Sequence, residues 1–178
     1  VRIIDYKTGK KDFNIVKTYY GIDIQLMVYM EAAMKLVAKM RPGKNVIPAG
    51  VFYYNISDPI VSATTESAEE IEDKIKGELR LKGMVNSDKD IAEKMDNTEG
   101  TSLNIPVSRK ADGGFDSRRS KVMNTEQFNM LGRFVDVRAI DTADRIAGGD
   151  IRRSPYKDGQ FSSCDRCPYG AVCGFSVD

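Results

Sequence analysis

Two apolar, strand-like segments with one long helical stretch between them constrain the fold of this chain more than anything else in it. The first is Val1-Arg2-Ile3-Ile4, a buried strand by composition. The second runs from about Val46 to Ile56, rich in aromatic and β-branched residues and apolar on both faces, as a central strand is. Pro48 is tolerable near its start. Between them Ile22, Leu26, Tyr29, Met30, Ala33 and Val37 recur at helical spacing and predict a helix from about Tyr20 to Met40. Arg41-Pro42-Gly43 ends that helix, because proline cannot continue the ladder and glycine is a good terminator. Residues 8–15 are a polar turn. A strand–helix–strand order of this kind implies a right-handed crossover and a parallel strand pair, hence an α/β fold.

The first strand ends in Asp5-Tyr6-Lys7. A strand has a side-chain period of two, so Asp5 and Lys7 point to the same side. A carboxylate and an ammonium placed together can hold a divalent cation and steady a water nucleophile or the charge on a phosphate. The same tripeptide is also a common surface ion pair worth little. On the following helix Gln25 and Tyr29 are one turn apart and share a face. A glutamine on an otherwise apolar face is either a satisfied core amide or a group aimed at a ligand.

Residues 57–122 read as a mainly helical insertion opened by Ser57-Asp58-Pro59. Ile71, Ile75 and Leu79 form a narrow stripe on a charged helix over about Ala68–Lys82. A short helix follows over about Asp88–Met95, then two extended pieces flanking a hairpin turn at Ala111-Asp112-Gly113-Gly114. The acidic run from Glu66 to Asp73 is a solvated helix face. Residues 123–157 hold a long helix over about Thr125–Ala147, capped by Asn124 with Gln127 in the reciprocal position and closed by Gly148-Gly149. Its expected buried stripe is Phe128, Leu131, Val135, Ile140, Ala143 and Ile146.

Residues 158–178 form a tail with all three cysteines, Cys164, Cys167 and Cys173, spaced C-x2-C-x5-C. The odd count and the absence of a secretory leader argue against disulfides and for a cytoplasmic metal site. Zinc and an iron–sulfur cluster both suit such thiolates, and each usually takes four ligands. The chain has no histidine, so no imidazole can complete the set or act as a general base. Lys and Arg total 27 against 26 Asp and Glu, so net charge gives no support for nucleic-acid binding. Local clusters at Lys7/Lys10/Lys11, Arg118/Arg119/Lys121 and Arg152/Arg153 are candidate phosphate contacts; for the last two an ordinary solvated face is preferred. No apolar run reaches membrane-spanning length, and no phosphate-binding loop for ATP is present.

Strand, Asp-x-Lys, polar loop and a helix carrying Gln-x-x-x-Tyr together resemble the RecB-like branch of the restriction-endonuclease-like nucleases. The cysteine tail narrows the resemblance to the AddB family of bacterial ATP-dependent helicase/deoxyribonucleases. The stretches Val46–Ile56, Leu79–Val85, Asn104–Val107 and Ser154–Lys157 are similar to that family too.

The resemblance implies a partial restriction-endonuclease-like core (residues 1–56) and Mg2+-dependent hydrolysis of DNA during double-strand-break repair and recombination. It implies that Asp5 and the backbone carbonyl of Tyr6 ligate Mg2+, and that Lys7 orients the nucleophile or neutralises the transition state. Gln25 and Tyr29 would order the site or contact DNA, and Lys10 and Lys11 would bind phosphates. Cys164, Cys167 and Cys173 would join a distant upstream cysteine around a [4Fe–4S] cluster, and the partner would be the AddA helicase–nuclease subunit. The family's site also uses an acidic residue upstream of where this sequence starts. The expectation is therefore a C-terminal fragment, inactive alone, holding no stable cluster and loose over 158–178. The competing readings are a CRISPR-associated RecB-like exonuclease and a non-catalytic zinc module that binds DNA or a partner.

Overall fold

The computed structural model describes residues 1–56, 59, 61, 67–159 and 161–175, with residues 161 and 166 described by backbone alone. Ser57, Asp58 and Glu66, which figured in the sequence reading, lie outside the described residues. Residues 1–138 and 139–178 form two compact units.

In the first unit the chain runs through β1 (Arg2–Lys7), α1 (Ile15–Tyr19), α2 (Gln25–Met40), β2 (Gly50–Asn55), α3 (Ala68–Leu79), β3 (Lys82–Asn86), α4 (Lys89–Glu93) and β4 (Val122–Met123). The strands form one sheet in the order β1-β2-β3-β4. β1 pairs in parallel with β2, as the strand–helix–strand order requires, with Asp5 opposite Tyr53 and Lys7 opposite Asn55. β3 is antiparallel to β2, and β4 is parallel to β3.

Three differences from the sequence reading have local causes. β1 continues through Lys7, so Asp5 and Lys7 lie within the strand rather than beyond its end. The helix expected from Tyr20 is two helices. Gly21 adopts a left-handed conformation (φ +80°), its N–H reaches Thr18 O, and the Ile22 N–H reaches back to Lys17 O. That is a Schellman stop, and α2 begins afresh at Gln25.

The third concerns the stretch from Lys82, read as the end of a charged helix, which is instead β3. Gly83 sits opposite Phe52, where a Cβ would come within 1.9 Å of the Val51 carbonyl oxygen. Only glycine permits this approach of strand to strand. The segment expected as an insertion therefore supplies a strand of the main sheet.

Side chains of β2 alternate between two cores, as a central strand dictates. Val51 and Tyr53 pack with Leu26, Met27 and Met30 of α2 and with Phe128 and Val135. Phe52 packs on the other face with Val85, Ala92, Ile105 and Val107. Each fully buried side chain of this size stabilises the fold by about 1.5–3 kcal/mol relative to exposure. Beneath the second core, Asp96 accepts hydrogen bonds from Thr98 N, Ser102 Oγ and Asn104 Nδ2 (2.7–2.8 Å). Burial alone would push this carboxyl up; the hydrogen bonds outweigh it and hold it well below the usual range.

α5 (Thr125–Ala147) has the expected bounds and the expected cap. The Gln127 N–H donates to Asn124 Oδ1, and the Asn124 N–H to Gln127 Oε1. Its buried stripe is shorter than expected: Phe128 and Val135 are buried, while Ile140 and Ile146 are 62% and 72% exposed.

In the second unit Asp150 ties Arg145 to Arg152, and those two guanidiniums hold its carboxyl well below the usual range. β5 (Lys157–Asp158) and β6 (Phe161–Ser162) make a small antiparallel ladder. A 3-10 turn over Ser163–Arg166 and α6 (Gly170–Cys173) follow. Among the described residues no helix is long and apolar enough to cross a membrane.

Candidate active site

The parallel register puts Asp5, Lys7, Tyr53 and Asn55 on the face of the sheet that α2 covers, because residues opposite one another on neighbouring strands share a face. Lys7 Nζ lies 2.8 Å from Asp5 Oδ2. The same ammonium donates to Gln25 Oε1 at 2.9 Å, and Gln25 Nε2 donates to the Tyr29 hydroxyl at 2.8 Å. An ammonium can only donate, which fixes the amide with its oxygen toward Lys7. The four side chains singled out in the sequence thus form one continuous polar line from β1 to the first turn of α2. Gln25 can reach Lys7 because the Gly21 stop restarts the helix at that residue.

Asp5 Oδ2 is buried and makes no hydrogen bond, although it lies beside the Lys7 ammonium. A buried carboxylate oxygen with spare lone pairs is costly unless a cation uses it. The carbonyl of Tyr6 suits the same purpose. Lys7 O bonds the Ile56 N–H on the β2 side and Val1 O bonds the Ala49 N–H. By alternation the Tyr6 carbonyl turns to the free edge of β1. These two oxygens fit a hard divalent cation in kind and are fewer than the six it prefers. Among the described residues no three Cys, Asp or Glu side chains converge as a metal site.

Lys10 and Lys11 differ from each other. Lys10 is 86% exposed, with Glu78 at 3.5 Å. Lys11 is held: its ammonium meets Asp23 Oδ1 at 2.6 Å, and its backbone N–H donates to Asn55 Oδ1 at 3.0 Å. In the other basic clusters Lys121 pairs with Asp12, and Arg152 with Asp150. The three cysteines are free thiols in the second unit; Cys164 and Cys173 are partly buried and Cys167 is exposed. Three soft donors within ten residues suit iron–sulfur or zinc chemistry.

Sequence reasoning passed over Tyr53 and Asp23. Tyr53 is fully buried, with Lys7 Nζ 5.6 Å and Lys11 Nζ 5.3 Å from its ring centroid. Burial pushes its hydroxyl up to about 12, helped by the charges of Asp23 and Asp5. The signal was present as alternation, since Tyr53 and Asn55 share a face once β2 is paired in parallel with β1.

A family model for the PD-(D/E)XK nuclease superfamily matches residues 1–174. The chain belongs to the PD-(D/E)XK nuclease superfamily. Asp5-Tyr6-Lys7 has the residue pattern (D/E)XK of that name. Curated relatives narrow the likeness. The B subunit of an ATP-dependent helicase/deoxyribonuclease from Clostridium botulinum is 39% identical over 180 residues, covering 100% of this chain and 16% of the relative. Proteins of the same description from Thermoanaerobacter sp. and Caldanaerobacter subterraneus subsp. tengcongensis are 37% and 39% identical, again over 100% of this chain and 15% of each relative. The chain thus spans about a sixth of the length of these relatives.

A groove of about 610 Å³ lies on the opposite face, lined by Ile4, Tyr6, Tyr54, Leu79, Leu81 and Leu103. Its walls are mostly apolar, with Lys76, Thr98 and Asn104 among them, and carry no carboxylate to hold a cation.

Proposed function

We propose that this PD-(D/E)XK domain hydrolyses DNA phosphodiester bonds with Mg2+, as the nuclease part of a larger AddB-type component of an ATP-dependent helicase/deoxyribonuclease. The observation that carries the reading is the continuous line Asp5–Lys7–Gln25–Tyr29, which starts at a buried carboxylate oxygen whose one close partner is the Lys7 ammonium. Asp5 Oδ2 and the Tyr6 carbonyl would hold the cation. A divalent cation there supplies Lewis acidity and offsets phosphate charge.

The chain's own groups do the rest. Lys7 carries the positive charge nearest the scissile group. It can trade its contact with Asp5 for a phosphate oxygen or for the attacking water while Gln25 keeps hold of it. Tyr29 fixes the Gln25 amide, so the lysine swings about one anchored point. Lys10, solvent-exposed beyond the strand, serves as a phosphate contact on the approach, with Lys11 behind it.

The larger protein that this reading assigns works in double-strand-break repair and recombination in the cytoplasm, paired with an AddA-type helicase–nuclease. Cys164, Cys167 and Cys173 supply three ligands of a [4Fe–4S] cluster. Further acidic ligands for Mg2+ and the fourth cysteine come from the rest of that protein.

The test is Asp5→Asn in the full-length protein, isosteric and uncharged. Cleavage of an end-labelled duplex in Mg2+ should fall by at least about a hundredfold. Calorimetric titration with Mg2+ should lose its high-affinity step. Undiminished cleavage by the variant would remove Asp5 from the site and this reading with it.

A further inference from the structure

Tyr53 poses a problem that the catalytic line does not solve. Its side chain is fully buried, and its hydroxyl has no hydrogen-bond partner. A buried donor with nothing to donate to destabilises a fold, and phenylalanine would fill the same space without that cost. Its register partner on the neighbouring strand, Asp5, also has a buried oxygen without a hydrogen bond, but that oxygen has the Lys7 ammonium at 2.8 Å, whereas the Tyr53 hydroxyl has no such partner. The Lys11 ammonium lies over the Tyr53 ring, 5.3 Å from its centroid and at once 2.6 Å from the Asp23 carboxylate. Asp23 is 12% exposed and Lys11 36% exposed, so the ammonium can leave for solvent while the carboxylate stays behind.

We propose that Tyr53 is a positioning residue that holds Asp23 in reserve: when Lys11 leaves for a DNA phosphate, the Tyr53 hydroxyl donates to the vacated Asp23 carboxylate. Two donors then share one acceptor in turn. In the free protein the ammonium has the carboxylate and the hydroxyl goes without. In the DNA-bound protein the phosphate has the ammonium, and the hydroxyl has the carboxylate. Without the hydroxyl, releasing Lys11 would strand a largely buried charge, and the lysine would stay where it is. The hydroxyl remains a neutral donor throughout.

The inference rests on the nuclease reading for its DNA, but its internal half can be tested without DNA. Four full-length proteins suffice: wild type, Tyr53→Phe, Lys11→Ala and the double variant. Hydrogen exchange of the amides in 20–56 reads local stability. In the wild-type background Tyr53→Phe removes an orphan and should slow exchange, by about threefold. In the Lys11→Ala background Tyr53 already bonds Asp23, so Tyr53→Phe should speed exchange, by about tenfold. Binding of a short labelled oligonucleotide in metal-free buffer should weaken about tenfold with Tyr53→Phe, and no further when Lys11 is already absent.

A change of the same sign in both backgrounds, or unaltered DNA affinity in Tyr53→Phe, overturns the inference. A sign reversal in a wild-type protein that binds no DNA overturns the DNA-linked exchange and the nuclease reading together. That result is distinct from failure of the Tyr53–Asp23 bond itself.

Discussion

Replacing Gln25 by leucine separates positioning from stability at this site. Among the described residues, beside its ion pair with Asp5, Lys7 donates its one side-chain hydrogen bond to the Gln25 amide (2.9 Å). A hydrogen bond from a charged donor is worth about 1.5–3 kcal/mol when nothing replaces it. In the free protein water does replace it, because Lys7 is 27% and Tyr29 45% exposed. Gln25→Leu should therefore cost less than about 1 kcal/mol of stability. During cleavage Lys7 must sit in one place, and water cannot restore that restraint. Loss of the full 1.5–3 kcal/mol there corresponds to about a 10- to 150-fold drop in kcat. KM should stay within about threefold, since the amide is not itself the phosphate contact.

Gln25→Glu sharpens the test. A second carboxylate would hold the ammonium harder, so activity should fall further while hydrogen-exchange protection of 20–30 stays equal or rises. Full-length protein, an end-labelled duplex and single-turnover conditions in Mg2+ give the rate. A Gln25→Leu protein within twofold of wild-type kcat would refute the reasoning, as would a rate loss matched by an equal loss of protection.

Two further outcomes follow from features outside the catalytic line. Asp96→Asn should destabilise by about 2–4 kcal/mol in urea unfolding, because one acceptor becomes a donor facing donors. The Asp96 carboxyl is held below its unfolded value. Its contribution is thus full above the usual carboxylate range and is lost as pH falls through the depressed folded value. The variant should therefore show a flatter acid-unfolding profile than wild type. Cys167→Ser in the full-length protein should abolish stoichiometric iron and sulfide; iron content unchanged, or zinc in its place, would refute the cluster assignment.

Local chemistry was legible wherever the signal was local. The bounds of α5, its Asn124–Gln127 cap and the hairpin closed by the Arg109–Phe115 bridge came from side chains a few residues apart. Gln25 and Tyr29 were legible as a helical pair next to Asp5-x-Lys7. What escaped depended on distant partners. Lys82 looks like the end of a charged helix until Gly83 beside it pairs across from Phe52. Tyr53 looks like core until Lys7 of β1 and Lys11 of the segment after it reach its ring. Ile140 and Ile146 keep the helical period without burial, because periodicity states which face is apolar and not whether anything covers it.

In the sheet as described, β1 is gripped along one flank only. Such a strand behaves as a cantilever whose stiffness comes from its single clamp. At the tip that clamp is Asn55, whose amide straps the chain at Lys11 through both Oδ1 and Nδ2. Loosening this strap would let positions five and seven drift together without touching either one. Side chains with no chemistry of their own on β2 therefore set the aim of the groups that have it.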